Sequence, residues 1–269
     1  MAEANWQPSK AEYWKNLPSP ARPWPSEVAC FEKYVVEKKS EGKNDVLILG
    51  ATVELRSMCH QHGMNVHIVD FSKKFFDILS KQHMVYTGPE IFYEQDWRTM
   101  ELEKKFDLIL GDWVPSVLHT NDYKTFFHHL LSHLKPDGLF IARECLRPDR
   151  NGIDLENVAS KHYQHYEGKY SFYETSMQYV YAFQTDPVTA MWNIAAAQNA
   201  LDDIHKKHLL KDGDYNFFVK ALSVEKYPAS VMVREDFGKQ LEKYFHILSV
   251  LHGNDPGNEW FPIYVLKSL

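Results

Sequence analysis

The sequence predicts an α/β fold, a doubly wound and mostly parallel seven-stranded sheet that ends in an antiparallel hairpin and carries a helical cap insertion. Three observations predict it. The apolar run Val46-Leu47-Ile48-Leu49 stops at Gly50, a helix-like segment follows, and a second apolar run stops at Asp70, which together make a β-α-β unit. Short apolar runs then alternate with helix-spaced segments as far as Glu144. Two further runs near the end flank the turn-rich stretch Gly253-Asn254-Asp255-Pro256-Gly257, as a hairpin would.

Residues 1–25 are rich in tryptophan and proline and suit a short helix around Ala11 to Leu17 followed by an extended segment. Ser26 and Glu27 open an expected helix through Lys39, with Val28, Phe31, Val35 and Val36 at helical spacing, and Gly42 ends it. The first strand is expected at residues 45–49 and the first helix of the sheet at 53–62, closed by Gly63. Next come a strand at 65–69, a helix at 72–81, strands at 91–94 and 106–110, a helix at 121–134 and a strand at 138–144. The stretches Val46–Leu49, Leu108–Leu110 and Leu139–Ile141 are apolar throughout, as expected of strands covered on both faces. After Cys145 the pattern changes, and residues 154–240 read as helices crowded with aromatics. Strands at 245–251 and 261–266 finish the sheet.

Of 269 residues, 44% are hydrophobic and 25% charged, the balance of a soluble globular protein, and no run approaches a membrane span of about 18 apolar residues. The first ten residues are polar and carry no export signal. Cys30, Cys59 and Cys145 show no C-x-x-C spacing, so reduced thiols in a cytoplasmic protein are expected, without a disulfide or zinc site. A net charge of −6 disfavours nucleic acid as a partner. His129 and His133 share a helix face, yet no carboxylate motif accompanies them, and no metal is expected.

In nucleotide-binding β-α-β units the first strand-to-helix turn carries the ligand, and an acid about 20 positions later takes the ribose hydroxyls; Gly50 and Asp70 fit that spacing. The loop Gly50-Ala51-Thr52-Val53-Glu54 keeps a single glycine. A dinucleotide needs further glycines so that backbone amides can approach its pyrophosphate, which disfavours a nicotinamide cofactor here. The alternative reading of the segment is an ordinary β-α-β unit with a polar strand cap.

Four tracts, VLILGATVE, HIVDFS, EQDW and FDLILGDWV followed by LKPDGLFIARE, resemble in this order the class I, S-adenosylmethionine-dependent methyltransferases, over residues 44–144 and 245–269. The resemblance implies a Rossmann-like domain over residues 41–146 and 241–269, an N-terminal helical segment (1–40) closing the site, and a cap (147–240) for the substrate. It implies S-adenosylmethionine as cofactor, held by Gly50, Ala51, Thr52, Glu54, Asp70, Phe71, Asp96, Trp97, Asp112 and Trp113, and in-line methyl transfer to a small molecule. Asp112 is the expected key residue after the fourth strand, and His119 a candidate base. Several of these residues have plainer readings: Glu54 as a residue favoured by the helix dipole, Asp96 as a helix cap, Phe71, Trp113 and Pro115 as packing.

Tyr166, Tyr170 and Tyr173 of the cap are expected to line an acceptor pocket, with Tyr13 and Trp14 as further walls and Arg22 pairing a carboxylate of the cofactor or acceptor. Two other outcomes stand beside methyl transfer. One is cyclisation or cleavage of S-adenosylmethionine without an external acceptor; the other is a non-catalytic binding or partner protein on the same scaffold.

Overall fold

A computed structural model describes residues 19, 22–147, 194–216, 219, 230–255 and 257–269. Seven strands form one sheet in the order β3-β2-β1-β4-β5-β7-β6. They are β1 (Asp45–Leu49), β2 (Asn65–Asp70), β3 (Glu90–Glu94), β4 (Phe106–Asp112), β5 (Leu134–Arg143), β6 (Phe245–Leu251) and β7 (Ile263–Ser268). The first five run parallel, and β7 pairs antiparallel with both β5 and β6. The chain turns from β3 back past β1 to β4, so β1 and β4 are neighbours whose following loops leave in opposite directions. Open α/β sheets bind ligands at such a point.

Side chains alternate across the sheet with the period of two that strands impose. Val46 and Ile48 of β1, Leu108 and Leu110 of β4 and Ile141 of β5 meet Phe31 and Val35 of α1 (Pro25–Ser40), Leu55 and Met58 of α2 (Val53–Gln61) and Phe75 and Leu79 of α3 (Lys73–Gln82). Their neighbours Leu47, Leu49, Ile109 and Phe140 face the other way. They pack on Phe126, Phe127 and Leu130 of α4 (Tyr123–Ser132) and on Phe237 and Leu241 of α6 (Arg234–Leu241). Between these last two helices in the chain lies α5 (Ile194–Lys206).

Helix starts follow local chemistry. Pro25 stands in the first turn of α1, where its missing N–H costs nothing, and Glu27 reaches back to accept from the Trp24 N–H at 2.8 Å. Ser72 Oγ accepts from the Phe75 N–H at 3.2 Å to open α3. Gly63, at φ +62°, follows α2 where the sequence places its end.

Most boundaries shift by one or two residues, and two of the differences have a local cause. The tract Lys135-Pro136-Asp137-Gly138 is a turn in the sequence reading but lies within β5, which pairs from Leu134 onto Phe106 and slips register before Leu108. Gly138 makes that irregularity possible, since a Cβ there would stand 2.9 Å from the Phe106 carbonyl oxygen. The last strand begins at Ile263 and not Phe261, because residues 258–260 form a 3₁₀ turn after Gly257, whose φ is +78°. No described helix is long and apolar enough to cross a membrane.

Candidate active site

The carboxyl ends of β1, β2, β4 and β5 meet at one edge of the sheet and carry the buried polar residues Thr52, Asp70, Ser116, Arg143 and Glu144 at or just past them. At the end of β1, Gly50 has φ +90° and donates its N–H to Val69 O at 2.9 Å. A Cβ on Gly50 would stand 3.4 Å from the Trp97 ring and 3.9 Å from Asp70 Oδ2. The backbone conformation calls for glycine here, while a Cβ would meet its neighbours at ordinary contact distance.

Asp70, at the end of β2, is 5% exposed. Its Oδ1 accepts from the Ser72 N–H at 3.0 Å, and the amides of Phe71 and Ala51 also donate to the carboxylate. Burial pushes its carboxyl up to about 6, against the pull of these amides and of Arg56. The amide of Ala51 thus ties the first loop to the acid of the second strand. Thr52 is buried in that loop, and Phe71 is half-buried beside Asp70.

Trp97 is placed against Gly50, as a wall of this corner, and its indole N–H is used to bond Val69 O at 2.8 Å. Asp96 is half-buried and held by Arg98, whose N–H and Nε–H both reach Oδ1, at 2.9 and 3.0 Å; that guanidinium holds the Asp96 carboxyl below the usual carboxylate range. Glu54, in the first turn of α2, lies 2.8 Å from Arg22 Nε. His119 accepts on Nδ1 from the Asn121 N–H at 3.1 Å, as the cap of a 3₁₀ turn over 120–122.

The ends of β4 and β5 carry a second group. Asp112 Oδ1 accepts from Arg143 Nη1 at 2.7 Å, and Arg143 Nε lies 2.9 Å from Glu27 on α1. Arg143 and Glu27 are fully buried. Burial pushes the carboxyls of Glu27 and Asp112 up, while Arg143 pulls both down. Two carboxyl groups share one guanidinium in a dry place, and Glu27 Oε1 has no hydrogen-bond partner among the described residues. Trp113 follows with φ +59°, a strained value for a bulky residue, which lays its ring parallel to Phe261 at 5.8 Å and beside the Arg143 guanidinium.

Glu144 is the residue that the sequence reading missed, together with Arg143 and Glu27. It is fully buried just past β5; Oε2 accepts from the Ser116 N–H at 3.1 Å and from Ser116 Oγ at 2.8 Å, and Oε1 has no partner among the described residues. Burial pushes this carboxyl up to about 8, so it is mostly protonated at neutral pH. Ser116 O in turn accepts from the Ser230 N–H at 2.7 Å, and Ser230 Oγ meets Tyr123 Oη at 3.1 Å. The available signal was positional: Glu144 ends an apolar strand as Asp70 does.

The structure therefore brings Gly50, Ala51, Asp70 and Trp97 into one corner and Asp112 and Trp113 into another, while Glu54, Asp96 and His119 are each engaged by a neighbour. Tyr13, Trp14, Tyr166, Tyr170 and Tyr173 lie outside the described residues. Among the described residues no three His, Cys, Asp or Glu side chains come together as a metal-ligand set.

No protein-family model and no curated protein matches the sequence. Solved structures do. A Rhodobacter sphaeroides protein provisionally described as a Zn-dependent alcohol dehydrogenase is 18% identical, with a TM-score of 0.66 over 100% of both chains. DhpI, in a complex with SAH, is 10% identical with a TM-score of 0.53 over 99% of this chain and 96% of its own. The N-methyltransferase NodS from Bradyrhizobium japonicum WM9, in complex with S-adenosyl-L-homocysteine, is 9% identical with a TM-score of 0.50 over 93% of each. At these identities the likeness is one of fold, and the fold, with its strand order and closing antiparallel hairpin, is that of the class I methyltransferases.

Proposed function

We propose that the protein is an S-adenosylmethionine-dependent methyltransferase of a small molecule, with the cofactor in the corner made by Gly50, Ala51 and Asp70. The observation that carries this reading is Asp70. It is a nearly buried carboxylate at the end of β2, fixed by amides of the first and second loops, facing the one glycine of the β1 turn. A carboxylate so fixed can accept from two adjacent ribose hydroxyls.

The donor set fits S-adenosylmethionine better than a dinucleotide. The first loop offers little room for a pyrophosphate, since only Gly50 lacks a side chain. When bound, the cofactor supplies an electrophilic methyl group on a sulfonium. The chain has to bind, orient and exclude water. In this reading Phe71, Asp96 and Trp97 take the adenine side of the cofactor, and Glu54 and Asp112 its methionine side. Trp113, Phe261 and Trp260 keep the β4 end apolar.

On the acceptor side, Asp112 is the carboxyl group that would orient a nucleophile, Glu144, kept protonated at neutral pH by burial, can only donate to one, and His119, whose Nδ1 caps a 3₁₀ turn, is the candidate base. In the same reading residues 1–40 close the site, residues 147–240 form the acceptor cap with Tyr13, Trp14, Arg22, Tyr166, Tyr170 and Tyr173 in its walls, and the protein works in the cytoplasm without nucleic acid or membrane.

A non-catalytic binding role has one observation in its favour: Glu54 already has a cationic partner in Arg22. Calorimetric titration with S-adenosylmethionine and S-adenosylhomocysteine, with NAD as control, separates the readings. Micromolar binding of both adenosyl ligands and none of NAD is expected; binding of neither would move the weight to a partner protein. Product analysis with and without added amines, phenols and acids then distinguishes transfer from cyclisation or cleavage.

A further inference from the structure

Arg56 is a fully buried guanidinium that the proposed reaction does not use. It projects from α2 with Nε 3.0 Å and Nη2 2.6 Å from the two carboxylate oxygens of Glu90, which opens β3. Nη2 also reaches Ser80 Oγ on α3, and the guanidinium carbon lies 4.5 Å from the centre of the Phe76 ring. The remaining arm, Nη1, donates to the Ala51 carbonyl at 3.4 Å. Ala51 is the residue whose own N–H donates to Asp70. One buried side chain therefore spans β3, α3 and the first loop, at the place where the loop lacks the further glycines of a phosphate-binding turn.

A buried arginine with one carboxylate partner is a poor source of stability in itself, because desolvation offsets most of the attraction. Its placement has a more specific consequence. The planar fork is committed to Glu90, so Nη1 has a fixed direction, and that direction ends on the loop that holds the nucleoside acid.

We propose that Arg56 is a positioning residue for the nucleoside end of the site: it fixes the Ala51 peptide against Asp70 and keeps a positive charge behind it, so that Asp70 meets ribose hydroxyls as a carboxylate. This inference rests on the reading given under Proposed function. Other charged groups near Asp70 are already committed. Glu94, its register partner on β3, accepts from the Lys73 N–H; Lys73 on α3 pairs with Asp77; Asp96 is held by Arg98. His60 touches the pair through Glu90, at 2.9 Å.

The test is the pH dependence of S-adenosylhomocysteine affinity, measured by calorimetry between about pH 5 and 9. In the wild type, affinity is expected to be flat above about pH 7 and to fall below about pH 6, as Asp70 takes a proton. Arg56→Gln should move that break upward by about one unit, giving about fivefold weaker binding near pH 6 and about tenfold near pH 5, with recovery to about the wild-type value near pH 9. Glu90→Gln, which leaves the Arg56 charge uncompensated, should move it downward.

The double variant Arg56→Gln/Glu90→Gln keeps the packing without a buried unpaired charge and should retain an upward shift. A parallel set carrying His60→Gln keeps imidazole titration out of the profile. Loss of affinity that is equal at every pH, or a break that stays in place in all variants, would overturn the inference while leaving the cofactor assignment standing. A wild-type protein that binds no S-adenosylhomocysteine at any pH would remove the cofactor assignment, and the inference with it.

Discussion

Arg143 and Asp112 meet at 2.7 Å across the ends of β5 and β4, with no more than 6% of either side chain exposed. The register of the sheet makes this meeting unavoidable, because Asp112 pairs with Arg143 as the last step of the β4–β5 ladder. Glu27 comes to the same guanidinium from α1 at 2.9 Å. The helix that precedes the sheet is thus fastened to the strand ends by charge as well as by the packing of Phe31 and Val35.

Removing that guanidinium should be costly. Arg143→Met leaves two carboxyls facing each other in the core, and breaking a buried pair from one side typically costs about 3–5 kcal/mol. The loss should be larger at pH 8 than at pH 5, since at the lower pH the two acids can take protons and shed their charge. Urea denaturation at the two pH values checks both statements; equal loss at both would show that the arginine acts by packing alone.

Glu144 makes a different prediction. Its carboxyl titrates near 4.5 when exposed and near 8 in the fold, so its proton is held more tightly by the folded chain. A carboxyl raised in this way contributes stability that is complete below about pH 4.5 and is lost as pH rises through about 8. Glu144→Gln keeps an oxygen for the Ser116 donors and removes the titration. The variant should outlast the wild type at about pH 8.5, by a difference on the order of a few kcal/mol, and the advantage should vanish near pH 5. Thermal unfolding across that range decides it.

The sheet was legible because its signal is local. Runs such as Val46–Leu49 and Leu108–Leu110 are short, apolar and punctuated, and each lies in a strand. Asp70 was legible because its place is set by spacing from Gly50 within one β-α-β unit. Glu27, Arg143 and Glu144 were not, because their meaning depends on contacts between residues far apart in the chain. Nothing in the tract ARE distinguishes an arginine buried between two acids from one in solvent. Gly138 shows the same limit on a smaller scale, since a turn signature became an irregular strand when Leu134 found Phe106.

Gly50→Ala should act on both fold and site. At φ +90° an L side chain is strained by about 1–2 kcal/mol, and the new Cβ would sit in contact with the Trp97 ring at 3.4 Å. Reduced stability in urea and weaker binding of S-adenosylhomocysteine are expected together. A variant that is destabilised but binds normally would place the ligand away from this turn.

Asp70→Asn retains one carbonyl oxygen for the amides of Ala51, Phe71 and Ser72, so the fold should survive. The loss of a charged acceptor for ribose should weaken S-adenosylhomocysteine binding by about 10- to 100-fold, the scale of one or two charge-assisted hydrogen bonds. The pH dependence of binding below about pH 6 should disappear with it. Unchanged affinity would remove Asp70 from the site.

Two tryptophans near the strand ends offer an internal control. Trp97 donates to Val69 O at 2.8 Å and is 7% exposed, whereas the indole N–H of Trp113 is buried with no partner among the described residues. An unpaired buried donor costs about 1–3 kcal/mol, and replacing it by an apolar ring recovers that cost. Trp113→Phe keeps the stack on Phe261 and should leave stability within about 1 kcal/mol of the wild type, the recovered donor offsetting the smaller ring. Trp97→Phe loses both a made hydrogen bond and packing on Gly50, and should cost about 2–3 kcal/mol. Denaturation of the two variants side by side reads the difference. If Trp113→Phe proves the more damaging, the indole N–H has a partner in solution, and a bound water or ligand group at the end of β4 becomes the place to look.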